Sequence, residues 1–119
     1  MPNAPAIPPT GTYDSTLTGD LSSWSGKFHY DSGSGFINYD RTNPPGSYTA
    51  TSHGQMFNFQ IGDPGQPPVT LKSDIYVLKG NGMAEYKGSG SKSKDKATDD
   101  DWTATQTSTG PGEHSRKKS

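Results

Sequence analysis

The chain has 119 residues, of which only 26% are apolar, and its 11 basic and 12 acidic residues leave a net charge of −1. This length fits one domain, with or without tails, and so little apolar material can build only a small core. The balanced charge gives no global attraction to nucleic acid or acidic membranes. Because the sequence has no cysteine, disulfides, thiolate metal sites and cysteine nucleophiles are excluded.

The two ends of the chain have the composition of disordered segments. Residues 1–12 are rich in proline and show no apolar periodicity, which predicts an extended arm. Neither a signal peptide nor an apolar run long enough to span a membrane is recognisable. We therefore expect a cytoplasmic protein, a leaderless secreted protein or a mature form whose leader has been removed. A second disordered tail is expected at residues 108–119.

Short segments that alternate between apolar and polar residues follow the arm. In residues 24–30, Trp24, Phe28 and Tyr30 fall on one face of a predicted strand, and His29 falls on the other, where we expect it to be exposed. The glycines of residues 31–35 suit a hairpin turn into a second strand at residues 36–39. After the prolines of residues 43–46, residues 47–52 form a third strand, which is polar and typical of a sheet edge.

The second half of the domain continues this pattern. Residues 55–61 form the clearest strand, and we predict that its Phe57, Phe59 and Ile61 lie in the core. Residues 69–79 are apolar on both faces around residues 75–78, which favours a central strand or one inside a closed barrel. Asn81-Gly82 predicts a tight hairpin of type I′ that returns through residues 83–86.

A polar stretch separates this hairpin from one last segment with strand character. Residues 89–101, rich in Ser, Lys and Asp, are typical of a flexible segment, and Trp102 begins a possible final strand that runs to residue 107. The sequence therefore predicts an all-β fold with one small antiparallel domain over residues 13–107. It leaves open whether the sheet is curved or closed into a small barrel.

The sequence contains no recognisable catalytic motif, so we expect a non-catalytic role. His29, His53 and His114 lack the spacing to an acid and a nucleophile that acid–base catalysis requires. No metal-ligand spacing and no glycine-rich nucleotide loop is present, so no cofactor and no metal is implied.

Aromatic residues interleaved with amide and hydroxyl residues are typical of carbohydrate recognition. Rings stack on the apolar faces of sugars, while Asn, Asp and Ser side chains bind the hydroxyls. The sequence therefore predicts a module that binds a carbohydrate or another polar small ligand. Its candidate binding residues are Trp24, Tyr30, Tyr39, Asn38 and His53.

Single-stranded nucleic acid is an alternative ligand. Residues 26–30 and 33–37, with residues 74–77, resemble in part the strand motifs of cold-shock domains, although Ser34 stands where that family has an aromatic residue. The resemblance implies a small OB barrel on which Phe28, Tyr30, Phe36 and Tyr76 stack bases. The phosphates would then contact Lys27, Lys72 and Lys79.

Two further roles stay open. The hydroxyl-rich strand at residues 47–52 and the strand at Trp102 could pair with a partner chain, which would make the protein an interaction or structural module. Alternatively, Val69, Leu71, Ile75 and Val77 could line an apolar lumen for a lipid or pigment.

Overall fold

A computed structural model describes residues 4–92 and 99–110, and over these residues the protein is an all-β fold. A 3₁₀ helix at Gly19–Trp24 is the only helical segment of the described part. The strands are β1 (Gly11–Leu17), β2 (Gly26–Tyr30), β3 (Phe36–Arg41), β4 (Gly46–Thr51), β5 (Asn58–Ile61), β6 (Val69–Leu78), β7 (Ala84–Ser91) and β8 (Asp100–Ser108).

The strands form one antiparallel sheet in the order β4-β3-β2-β1-β8-β7-β6-β5. Strands that follow one another in the chain are neighbours in the sheet, except that β1 pairs with β8 and that β4 and β5 stand at its two edges. The sheet curls until these edges face each other, so the domain is a nearly closed barrel. The predicted fold class, a single antiparallel β domain, is confirmed.

The barrel interior is filled by aromatic rings because alternate residues of each strand point inward. Phe57 occupies the centre, and its ring centroid lies 5.0–5.2 Å from those of Tyr13, Phe28, Tyr30 and Tyr86. These contacts are edge-on, an arrangement that aromatic pairs favour. The predicted core residues Phe57, Phe59 and Ile61 are indeed buried.

One chain of hydrogen bonds crosses this apolar interior. The indole Nε1 of Trp102 donates to Ser15 Oγ at 2.8 Å, and Ser15 Oγ lies 2.7 Å from the hydroxyl of Tyr39. Tyr39 in turn donates to the carbonyl of Trp24 at 2.6 Å. Because Tyr39 donates onward, Ser15 donates to Tyr39, and every polar group of the chain has a partner.

Each end of the barrel is covered by a segment next to β1. Beyond Leu17, the 3₁₀ helix places Leu21 and Trp24 over the core, and the carboxylate of Asp100 accepts the Leu21 N–H at 3.0 Å. Before Gly11, residues 4–10 cross the other end, where Pro8 is buried and the Tyr13 hydroxyl donates to the Pro9 carbonyl. Residues 4–10 thus contact the barrel more closely than the proline-rich composition indicates.

Three local predictions were wrong. The strand predicted from Trp24 begins at Gly26, because Gly19, with φ of 65°, lets the chain turn into the 3₁₀ helix. β6 lies in a nearly closed barrel, as one of the two alternatives for residues 69–79 held, but it is not buried on both faces: it has an irregularity between Ser73 and Ile75, beyond which Ile75 and Leu78 are 52% and 48% exposed. A bulge adds a residue and re-aims the side chains that follow.

The third correction concerns the segment at residues 89–101. Strand β7 continues to Ser91 and β8 begins at Asp100, so both ends of the predicted flexible segment are paired strand. Residues 93–98 lie outside the described residues, as do residues 111–119 of the predicted tail. The predicted final strand at Trp102 is confirmed within β8.

The predicted hairpin at Asn81-Gly82 is confirmed, although its turn differs from type I′. Gly82 N–H donates to the Lys79 carbonyl at 2.9 Å, and Gly82 alone in this turn has a positive φ, of 85°. This is a type I turn followed by a left-handed glycine, the usual geometry of a slightly longer hairpin loop.

Candidate functional site

The three aromatic residues predicted to bind ligand lie in the core. Trp24, Tyr30 and Tyr39 are 6%, 1% and 0% exposed, so the expected exposure of these rings is wrong. Because the chain has few aliphatic residues, most of its aromatic rings are required to fill the barrel interior. Alternation placed Phe28 and Tyr30 on one face of β2 correctly, but that face is the interior, and Trp24 reaches the interior from the 3₁₀ helix.

The two polar residues of the predicted site are on the outside of the barrel. Asn38 lies on β3, where it is half-buried between His29 of β2 and Thr49 of β4. His53 is exposed in the connection after β4, next to Gly35. Since the three rings point inward, the predicted set does not form one surface. The ligand-binding roles of Asn38 and His53 stay predictions.

His29 was expected to be exposed and is only 8% exposed. Its strand, β2, is flanked on both sides, so the imidazole lies between residues of β1 and β3. Its Nδ1 is 3.5 Å from the Thr12 hydroxyl. The prediction failed because alternation indicates the face of a sheet on which a residue lies, and not how far neighbouring side chains cover it.

A surface groove lies along the break in the barrel. We call the gap between β4 and β5 the seam. At its wider end is a groove of about 670 Å³ lined by residues 45–49, 60–64, 66 and 68. A second depression, of about 390 Å³, continues along the seam beside Ala50, Thr51 and Asn58. Together they follow the length of both edge strands.

A half-buried tyrosine forms part of the groove. The ring of Tyr48 packs on Trp24, with 5.3 Å between the centroids, and is held there because Tyr48 is on the inward side of β4. Its hydroxyl donates to Asp63 Oδ1 at 3.0 Å, which joins β4 to the loop after β5. This hydrogen bond and the one from Asn58 N–H to Ser52 Oγ, at 3.0 Å, link the two sides of the seam.

The outward side of the groove consists of hydroxyl and amide groups. Ser47 and Thr49 project from β4, and Gln60 projects from β5, where its amide donates to the Thr70 hydroxyl at 2.9 Å. Asp63 is the one ionisable residue among the lining residues apart from tyrosine. The groove can therefore offer donors and acceptors to a polar, uncharged ligand.

In the described part of the chain, neither metal-ligand clusters nor pKa shifts, which often mark a reactive centre, point to one. No group of three or more His, Asp or Glu side chains that could hold a metal ion occurs among those residues. The hydrogen bond from the Ser34 hydroxyl lowers the pKa of Asp31, and burial raises the pKa of Tyr39 to about 12. The first group stabilises a turn and the second lies in the core, so both shifts have structural causes.

Residues named for the alternative roles are also separated. Phe28 and Tyr30 are buried, and three strands separate Lys27 on β2 from β6, which carries Lys72 and is followed by Lys79. In the apolar set, Val69 and Leu71 pack in the ring-filled core, whereas Ile75 is exposed. No helix of the described residues is long and apolar enough to cross a membrane.

Sequence reasoning missed Tyr48, Gln60 and Asp63 as groove residues. One signal did exist, because the polar strand at residues 47–52 was predicted to lie near an edge, and β4 is an edge strand. The other side of the groove follows from the opposite edge, β5, whose position depends on the pairing of β1 with β8. No local pattern encodes that long-range pairing.

Comparison with known proteins gives no match: no family model fits the chain, and neither the curated proteins nor the solved structures include one that matches it.

Proposed function

We propose that this chain is a non-catalytic binding module whose ligand occupies the seam groove. The observation that carries the proposal is the groove itself, which runs between two sheet edges that face each other without pairing. Over most of the described barrel, by contrast, the strands are paired on both sides. Binding sites are concave and combine apolar surface with a few polar groups, as this groove does.

The lining favours a polar and uncharged ligand. The Tyr48 ring and the prolines at positions 45, 64 and 68 supply apolar surface, while Ser47, Thr49 and Gln60 supply hydrogen-bonding groups. A carbohydrate, or another ligand that carries many donors and acceptors, would use both kinds of surface. The ring that a sugar would contact is Tyr48, and not the three buried rings.

Single-stranded nucleic acid is a weaker candidate. Lys27 pairs with Asp14 at 3.3 Å and Lys79 pairs with Glu85 at 3.8 Å, so two of the three lysines expected to contact phosphates already face carboxylates. In addition, the eight-stranded meander differs from the five-stranded barrel of OB domains.

The test screens the full chain against a glycan array, an array of synthetic peptides, and single-stranded oligonucleotides at low and high salt. Any ligand found is then located by chemical-shift perturbation in the ¹⁵N-labelled protein. We expect the perturbed amides to cluster at residues 46–49 and 60–63, and binding to change little with salt. Phosphate-driven binding would weaken steeply with salt.

Two substitutions on different sides of the barrel serve as a matched pair. Gln60→Ala removes an exposed amide from the groove and should weaken binding, whereas Lys87→Ala, on the outer face of β7, should leave it unchanged. A screen without any ligand, or perturbations that cluster away from the seam, would refute the proposal.

A further inference from the structure

We infer that the seam accepts an extended peptide, which adds as a strand to the free edge of β4. This inference rests on the proposed function, because it names the class of ligand that the same groove would bind. It goes further in assigning the main role to the backbone of β4 rather than to the side chains of the groove.

The register of the β3–β4 ladder determines which backbone groups face the seam. Ser52 N–H donates to the Gly35 carbonyl at 2.8 Å, and the ladder continues in register from this pair. Antiparallel partners alternate between bonded and non-bonded pairs, so Ala50 and Tyr48 also direct their backbone groups toward β3. The N–H and C=O groups of Ser47, Thr49 and Thr51 therefore point into the seam.

The same reasoning applies to β5. Ser73 N–H donates to the Phe57 carbonyl at 2.9 Å, so Phe59 and Ile61 bond to β6, and Asn58 and Gln60 direct their backbone groups toward the seam. Ser52 Oγ already accepts the Asn58 N–H. β5 is thus shorter than β4, and one of its seam-facing N–H groups is already bonded. β4 is therefore the better edge for an added strand.

The edge of β4 carries none of the sequence features by which proteins usually prevent strand addition, and only the Tyr48–Asp63 and Asn58–Ser52 hydrogen bonds are described across the seam beside it. Its six residues contain no charge, no proline and no bulge, and no ladder joins it to β5 among the described residues. Exposed edges are normally blocked by a lysine, a proline or a bulge. An unblocked row of donors and acceptors is a template for another strand.

A peptide matches this edge better than a saccharide does. Donors and acceptors recur along β4 about every 7 Å, which is two residues of strand, and another extended backbone has the same repeat. One face of an added strand would contact the Tyr48 ring and Ile61, and the other would lie beside Ser47, Thr49 and Gln60. The expected partner alternates small apolar residues with Ser, Thr, Asn or Gln and carries no charge.

The test uses an array of synthetic octapeptides in which Ser, Thr, Asn or Gln alternates with Ala or Val. Peptides that bind are measured by fluorescence polarisation against wild type, Thr49→Pro and Thr49→Val. The proline removes the seam-facing N–H of Thr49 but no bond to β3, because that N–H points away from β3. We expect Thr49→Pro to weaken binding by about tenfold, the effect of losing one hydrogen bond near the upper end of its usual range, and Thr49→Val to bind normally.

A second measurement leaves the protein unchanged. N-methylation of every second amide of a bound peptide should abolish binding when the methylated amides are those that bond to β4. It should be tolerated when the methylated amides are the intervening ones. Equal binding by the two N-methylated peptides, equal binding by the two Thr49 variants, or an array without any binder would overturn the inference. If a saccharide bound at the seam instead, the proposed function would stand without the peptide; if neither class bound there, both would fail.

Discussion

At the scale of single residues, stability depends on how the few polar atoms inside the barrel are satisfied. The Tyr39 hydroxyl belongs to a complete chain of hydrogen bonds that runs from Trp102 through Ser15 to the Trp24 carbonyl. The Tyr86 hydroxyl, equally buried, has no hydrogen-bond partner among the described residues. The two tyrosines are therefore a matched pair of buried phenols in opposite situations.

We predict opposite effects from removing these two hydroxyls. Tyr39→Phe should lower the free energy of unfolding by about 1–3 kcal/mol, because Ser15 and the Trp24 carbonyl lose their buried partner. Tyr86→Phe should be neutral or stabilising, since it removes a polar atom that gains nothing by burial. Urea unfolding followed by tryptophan fluorescence measures both. A larger loss for Tyr86→Phe would contradict the hydrogen-bond assignment.

Stability should fall in alkali because buried phenols resist ionisation. Burial raises the pKa of Tyr39 to about 12 from its ordinary value of 10.0, and burial also raises the pKa of Tyr13 and Tyr86. A raised pKa means that the folded state holds its proton longer, so the contribution is complete below pH 10 and is lost as the pH rises toward 12. For Tyr39 alone the loss is on the order of 3 kcal/mol.

Urea unfolding at a series of pH values from about 8 to about 12 tests this dependence. The free energy of unfolding should be flat at first and then decline, and phenolate absorbance of the buried tyrosines should appear only together with unfolding. Ionisation of all tyrosines near pH 10 in a protein that keeps its near-ultraviolet circular dichroism would contradict it.

At the scale of elements, sequence patterns predicted strands and turns well wherever the information was local. The alternation in residues 55–61 predicted the burial of Phe57, Phe59 and Ile61, and Asn81-Gly82 predicted a hairpin. Alternation could not distinguish the inner face of a barrel from a binding face, so the rings of Trp24, Tyr30 and Tyr39 were assigned to the wrong side. The bulge after Ser73 and the pairing of β1 with β8 depend on contacts between distant residues, which no local pattern contains.

The hairpin between β6 and β7 allows a direct test of turn geometry. Gly82 has a φ of 85° while Gly80 does not have a positive φ, and a Cβ at either position would meet no atom within 4 Å. Gly82→Ala should therefore destabilise the fold by about 1–2 kcal/mol through backbone strain alone. Gly80→Ala should be neutral or slightly stabilising, because alanine restricts the unfolded chain. Equal melting temperatures for the two variants would refute the assigned turn.

At the scale of the whole molecule, the seam follows from where the meander closes. The sheet consists of two four-stranded meanders, β1–β4 and β5–β8, which are joined because β1 pairs with β8. β4 and β5 follow one another in the chain but stand at opposite ends of the strand order. The cost of that arrangement is two free edges that face each other across a groove. Closing the sheet at the chain ends thus leaves an opening in the middle of the sequence, and the proposed binding function depends on that opening.

Residue-resolved amide hydrogen exchange on the free protein tests the open seam most directly. The amides of Ser47, Thr49 and Gln60, which face the seam, should exchange at rates close to those of an unstructured peptide. The amides of Tyr48 and Ala50 on the same strand should be strongly protected by β3, and Asn58 should be protected by Ser52. Protection of Ser47, Thr49 and Gln60 equal to that of Tyr48 and Ala50 would mean that β4 and β5 pair in solution, and it would contradict the account.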